Sequence, residues 1–306
     1  AVKRTESEKK SYDIISHPWK YLRVCGGSSG FENGKGENFK LSILQYSFMQ
    51  RAFLAGILLA VITPCIGMTI VLKRMSMIGD ALSHSSLAGV AAGLIFGINP
   101  VLSAAVVCVA AALGIERIRR KLPRYSEMAI AIVMSGGIGL AGVLSGFVKN
   151  SANFSSFLFG SIVAISREEL ILVTAVSLIV LITVLLLYKE LFYIGFDENA
   201  ARISGVPVQR INFVFTVLTA LTISIASRTV GALIISSMLV VPAACGMQMG
   251  RSYKKALLWA VAVALVTTIA GLILSYYAGW KPGGTIVLLE VAWFLVVVFV
   301  KALFKK

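Results

Sequence analysis

Hydrophobic positions in this chain come in long blocks rather than in alternation. From Phe48 onward apolar runs recur with short polar interruptions, and the stretch 170–188 (LILVTAVSLIVLITVLLLY) contains no charge. A helix rises about 1.5 Å per residue, so about 20 apolar residues cross the roughly 30 Å hydrocarbon core of a bilayer. Apolar length and flanking charge predict nine spans: 48–72, 77–97, 100–115, 128–148, 170–188, 211–227, 229–249, 256–278 and 285–301. The segment 153–165 (NFSSFLFGSIVAI) is too short to cross and reads as a half-helix dipping into the membrane. Pro64, Pro242, Gly56 and Gly136 fall inside predicted spans, where neighbouring helices can shield the backbone groups they free. The pattern predicts an all-α, polytopic membrane helix bundle of 8–9 transmembrane helices.

Composition agrees. Of 306 residues, 58% are hydrophobic and only 14% charged, with a mean hydropathy of +0.86, whereas soluble domains carry about a quarter charged residues. Residues 1–45 differ from the rest, being rich in Lys, Arg and Glu and holding the run Gly26-Gly27-Ser28-Ser29-Gly30. They have no apolar stretch long enough for a signal peptide and are expected to form a polar, disordered tail, separate from a membrane domain at 46–306.

The net charge of +15 would suggest nucleic-acid binding in a soluble protein. Here the basic residues outside the tail lie mostly between apolar blocks, where they set topology instead, because positively charged loops stay cytoplasmic. With the loop 116–127 (ERIRRKLPRYSE) inside, Lys73, Arg74, Lys189, Arg202, Arg210, Arg251, Lys254, Lys255 and Lys301 also lie inside, leaving Lys149, Arg167, Arg228 and Lys281 outside. The C-terminus is therefore expected to be cytoplasmic. The same alternation puts the basic tail outside, against the rule, so either the tail is foreign to the fold or one span is miscounted. Cys25, Cys65, Cys108 and Cys245 are far apart and form no CxxC pair, which gives neither a disulfide framework nor a thiolate metal site.

An ionisable residue inside a span is costly unless paired or facing water, which makes it a functional candidate. Asp80 and His84 stand out in the second span, Met75-Ser-Met-Ile-Gly-Asp80-Ala-Leu-Ser-His84-Ser-Ser-Leu-Ala-Gly89. At i, i+4 spacing both project from one helix face. Carboxylate oxygen suits hard cations and imidazole nitrogen suits zinc, so the pair can hold a divalent ion. Two ligands do not complete a site; a second copy of the helix across a two-fold axis would supply four. Ala88 and Ala91 continue that face, and Gly79, Ser83, Ser85, Ser86, Gly89, Ala92 and Gly93 are also small, which suits close helix approach. The alternative is that Asp80 and His84 satisfy each other or cap a broken helix. Glu290, alone in the last span, reads as a packing or interfacial residue. In the segment 189–210, Asp197, Glu198 and Asn199 can open a short helix and Gly205 can close it before Pro207. That helix would lie along the cytoplasmic face as a docking element, the alternative being a plain connecting loop. No GxxxxGK[ST] phosphate loop, GxSxG or HExxH occurs, so any ATP-driven work requires another subunit.

The stretch Leu72-Lys-Arg-Met-Ser-Met-Ile-Gly-Asp-Ala-Leu-Ser-His-Ser-Ser-Leu-Ala-Gly-Val90 resembles the signature of the zinc/manganese family of ABC importer permeases, a basic turn followed by G-D-A-L-S-H. Phe196-Asp-Glu-Asn-Ala-Ala-Arg-Ile-Ser-Gly205 is similar to that family's coupling loop, and Ser237-Met-Leu-Val-Val-Pro-Ala-Ala244 to a further family segment; the likeness covers residues 46–306. It implies a type II ABC importer-like permease domain in a bacterial plasma membrane, working as a homodimer on a cytoplasmic ATPase dimer. An extracellular or periplasmic binding protein would deliver the metal. By the same resemblance Asp80 and His84 line the metal path near the dimer interface. Asp197, Glu198, Ala201, Arg202 and Gly205 shape the coupling helix. The expected cargo is zinc, with manganese or iron as the alternative, and no tightly bound cofactor is expected. Tyr46-Ser-Phe-Met-Gln-Arg-Ala52-Phe53 looks more like zinc-type members. One departure is Gly279-Trp280-Lys281-Pro282, where an acidic residue is expected before the last span. Rival readings are an ion-coupled secondary carrier with midplane ionisable residues, a permease for a chelated metal, and a membrane-embedded assembly subunit.

Overall fold

The computed structural model describes residues 47–122, 125–148, 158, 160 and 165–304. The described part is all-helical: α1 Ser47–Leu72, α2 Ile78–Phe96, α3 Pro100–Lys121, α4 Ser126–Ser145, α5 Arg167–Leu186, α6 Tyr188–Phe196, α7 Glu198–Ile203, α8 Val208–Thr229, α9 Ile235–Met249, α10 Tyr253–Ala278 and α11 Pro282–Phe304. The predicted tail 1–45 lies outside the described residues, as does the predicted half-helix 153–165 apart from Leu158, Gly160 and Ile165.

Each predicted span has a helix, but not every helix is long and apolar enough to cross. Among the described residues, α1, α3, α4, α5, α8, α10 and α11 meet both conditions, giving seven candidate spans. The 19-residue α2 carries Asp80, His84 and three serines. In place of a span at 229–249, α8 continues to Thr229 and α9 begins only at Ile235, leaving a 15-residue helix. Gly231, at φ +115°, lies in the intervening turn. The Leu158 carbonyl accepts a hydrogen bond from the Leu233 N–H there, so the polar backbone of the break is partly satisfied from within the protein.

Two groups of helices make the bundle. In one, α9 and α10 pack on each other and against both α1 and α11; in the other, α2 packs on α3 and α4, while α8 packs on α3. The hydroxyls of Thr63, Ser85, Thr219, Thr222 and Thr267 each donate to the carbonyl four residues back in their own helix, which removes their polar cost without a partner helix. Prolines 64 and 242 sit inside α1 and α9 without ending them, as expected where neighbours shield the freed carbonyls. α6 is held by its aromatic side chains, with Tyr188 and Phe192 lying 5.3 and 5.0 Å from the Tyr253 ring at the start of α10.

α1 and α9 touch backbone to backbone at Gly67, where a Cβ would strike the Leu239 carbonyl oxygen. Gly67→Ala should therefore lower the unfolding temperature in detergent, as expected for overpacking that costs about 1–3 kcal/mol. Gly139→Ala, whose methyl meets open space, should leave it unchanged. Equal unfolding temperatures for the two variants would refute this account of the α1–α9 contact.

Candidate functional site

α2 is enclosed by α3, α4, α8 and α9. Its small residues are used for packing inside the chain. A Cβ on Gly89 would stand 2.7 Å from Ala104 Cα of α3, and one on Gly137 of α4 would stand 2.9 Å from the Ser85 nitrogen. Ser103 Oγ donates to the Gly89 carbonyl at 2.7 Å, and Ser86 and Ser227 share a hydrogen bond of 3.0 Å. Ala88 and Ala91 are buried as well. The expected use of this small-residue face in approach to a second copy is corrected accordingly: the close contacts are made by α3 and α4 of the same chain.

What stays open is narrow. Between Ile78 and Gly93 only Asp80, His84 and Ala92 are not fully buried. Asp80 sits in the first turn of α2, where the helix dipole favours a negative group. α4 crosses beside His84, where Gly137 lets the backbones close. The ion pairs among the described residues join Glu116, Glu169 and Glu198 to arginines; Asp80 and His84 take part in none. The alternative in which the two side chains satisfy each other is not what the structure shows. Nor does any cluster of three or more His, Cys, Asp or Glu side chains form a metal cage among the described residues. One chain presents two donors on one face and no more. Beside the start of α2 lies a cavity of about 420 Å³ lined by Arg74, Met75, Met77, Glu127, Ile130 and Met134.

At the same end of the bundle, α7 has the expected caps. Asp197 accepts from the N–H groups of Asn199 and Ala200 at 2.8 and 3.1 Å. Gly205 follows the helix at φ +85°, a conformation costly for any residue with a Cβ. The predicted coupling residues divide by direction. Glu198 and buried Ala201 face the body of the protein, while Arg202 is exposed. Ile203, missed from sequence, is 89% exposed, and Phe196 just before the helix is exposed too. Nothing in the sequence position of Ile203 sets it apart from a lipid-facing residue; its exposure on α7 is a result of the tertiary structure.

A second omission is a partly buried polar network. Glu198 pairs with Arg119 at 3.3 Å and accepts from Asn212 Nδ2 at 3.1 Å. Asn212 Oδ1 accepts from Lys73 Nζ at 2.6 Å. Glu116 holds Arg119 and Arg120 at 3.0 and 2.9 Å, and Arg120 also donates to the Gln209 carbonyl at 3.0 Å. Lys73 also lies over the Phe215 ring, 5.1 Å from its centre. Burial first, and then the charge of Arg119, lower its ammonium pKa to about 8, so it loses its proton above that pH well before an exposed lysine would. In sequence Lys73, Arg119 and Arg120 read as topology charges and Glu198 as a coupling residue, with nothing to join them.

The profile of the ABC 3 transport family matches residues 45–301. The chain belongs to the ABC 3 transport family. It is 36% identical over 258 residues, 84% of this chain and 96% of the relative, to a probable metal transport system membrane protein of Treponema pallidum. It is 33% identical to the manganese transport system membrane protein MntC of Listeria monocytogenes, over 84% of this chain and 92% of that one. The high-affinity zinc uptake system membrane protein ZnuB of Haemophilus influenzae is 31% identical, over 83% and 96%. Among solved structures, PsaBC from Streptococcus pneumoniae in complex with Fab superposes with a TM-score of 0.75 at 30% identity, covering 83% of this chain and 92% of that one. The chain is thus a multi-pass membrane permease of a metal-transporting ABC system. The secondary-carrier reading is not favoured.

Among the buried polar groups that lack a hydrogen bond, one is a whole carboxyl. Glu290 of α11 is 0% exposed, and neither carboxyl oxygen has a hydrogen-bond partner. The expected packing role leaves unmade hydrogen bonds, at about 1–3 kcal/mol for each such group. Glu290→Met should raise the unfolding temperature in detergent. A fall would reveal a partner that the carboxyl depends on.

Proposed function

We propose that this permease imports zinc by alternating access, as a homodimer driven by a separate cytoplasmic ATPase dimer and supplied by a metal-binding protein on the other face. The single observation that carries the metal path is that Asp80 and His84 are the chemically able residues left open along the part of α2 from Ile78 to Gly93, which is otherwise buried except at Ala92. A second copy brings a second Asp–His pair, so a divalent cation gains two carboxylates and two imidazoles. The direct α2 contacts inside each chain mean that the two pairs meet through the open seam at Asp80 and His84 rather than through a full-length α2–α2 contact.

Asp80 supplies charge in a setting of low dielectric, where attraction to a dication is stronger than in water. His84 supplies the nitrogen that zinc favours. Binding has to stay weak enough for release, and the cavity at Met75, Met77, Glu127 and Met134 beside the start of α2 is a route for release toward the basic, cytoplasmic end. α7 is the ATPase contact, with Arg202, Ile203 and Phe196 outward and Glu198 and Ala201 inward. Zinc rather than manganese is supported by the resemblance of the 46–53 segment to zinc-type members. Relatives carry zinc, manganese and iron names, and carboxylate with imidazole suits zinc and manganese alike.

Asp80→Ala or His84→Ala in the reconstituted complex should abolish radiolabelled zinc uptake into vesicles while the ATPase still co-purifies. Wild-type uptake by either variant would reject the site. In competition, unlabelled zinc should suppress uptake at lower concentration than manganese; the reverse order would make manganese the cargo.

A further inference from the structure

We infer that Glu198, Asn212 and Lys73 form the mechanical link by which displacement of α7 reaches the turn that opens α2, and hence Asp80. This rests on reading α7 as the ATPase contact, and goes beyond it by naming the route inside the chain. Asn212 is the pivot. It is 1% exposed, in the first turns of α8, and both ends of its amide are used: the oxygen toward Lys73 at 2.6 Å, the nitrogen toward Glu198 at 3.1 Å. Glu198 is the first residue of α7, so it moves with that helix.

At the far end, Lys73 lies in the turn between α1 and α2 and is gripped by α8 twice, through Asn212 and through the Phe215 ring. That turn is stiff. The Lys73 N–H donates to the Thr69 carbonyl, Arg74 takes φ +55°, and the Met75 N–H reaches back to the Ile70 carbonyl. The Ile78 N–H then donates to the Met75 carbonyl, leading directly into the α2 turn that carries Asp80. A side chain pulled at Lys73 therefore moves the start of α2 instead of being absorbed by slack chain.

Two features favour a link over a static brace. Each contact is a hydrogen bond made at the buried amide of Asn212, and such bonds are more directional than apolar contacts. The route also ends at two elements with distinct tasks, an exposed helix at one end and the candidate metal helix at the other. Arg119, held by Glu116 at 3.0 Å, fixes Glu198 from α3 at 3.3 Å, so α3 acts as the anchor against which α7 can tilt.

The test uses the full permease reconstituted with its ATPase, and three readouts: ATPase co-purification, ATP hydrolysis and zinc uptake per ATP. Asn212→Leu and Lys73→Met should leave co-purification and hydrolysis near wild type and lower uptake per ATP roughly tenfold, within the range that coupling substitutions reach. Uptake per ATP unchanged in both variants overturns the link, as does a parallel fall of hydrolysis and uptake. If Asn212→Leu does not fold, Lys73→Met decides alone, because it leaves the Asn212–Glu198 bond in place. Combining Lys73→Met with Glu198→Met, which removes the acceptor for Asn212 Nδ2, should cost no more than the worse single change, since a broken chain cannot be broken twice; additive losses overturn it. Failure of the wild-type permease to hold its ATPase would instead reject the reading of α7.

Discussion

Lipid offers no hydrogen bonds, so a chain that lives in it has to satisfy its polar groups from within, and most of this structure follows from that constraint. Helices satisfy their own backbones, and threonine and serine hydroxyls within them turn back onto carbonyls of the preceding turn. The break between α8 and α9 is supported by the Leu158 carbonyl. Charged groups collect at the ends of the helices, where Glu116, Arg119, Arg120 and Glu198 neutralise one another. Against this background the exceptions are informative. Asp80 and His84 enter no ion pair among the described residues and stay partly open, which is what the proposed cation path requires.

The same constraint separates two kinds of polar residue that look alike in sequence. Lys73 and Arg74 are neighbours in the basic turn, yet Arg74 is exposed whereas Lys73 is drawn inward onto Asn212 and Phe215. Buried networks are justified energetically only when every member has a partner, and here each link is made. The consequence is that α7, α8, α3 and the α1–α2 turn are joined by directional bonds rather than by exchangeable apolar contacts. For a transporter this matters, since apolar surfaces slide past one another more readily than hydrogen-bonded groups separate.

Much of the architecture was legible in the residue order. The apolar blocks placed the helices, and the Asp197 and Gly205 signals placed α7 with both its caps, because span length and capping depend on local spacing alone. The i, i+4 relation of Asp80 and His84 was equally local. The small residues of α2 were read correctly as close-packing residues but assigned to the wrong neighbour. A glycine states only that something comes near, and Gly89 and Gly137 meet α3 and α2 of their own chain. The short α9 was hidden for a related reason, since residues 229–234 are as apolar as a span and their departure from helix is set by what packs beside Gly231.

By itself, the sequence determined that this is a polytopic helical membrane protein, that Asp80 and His84 share one face of a helix, and where the exposed short helix begins and ends. These are properties of composition and of neighbours a few positions apart. Tertiary structure decided which of the capable residues remain open, which face of α7 looks outward, and that Lys73, Asn212 and Glu198 meet. The reason is separation along the chain: Lys73 and Asn212 stand 139 positions apart, and no local pattern constrains two side chains that only the packing of α8 against the end of α1 brings within a hydrogen bond.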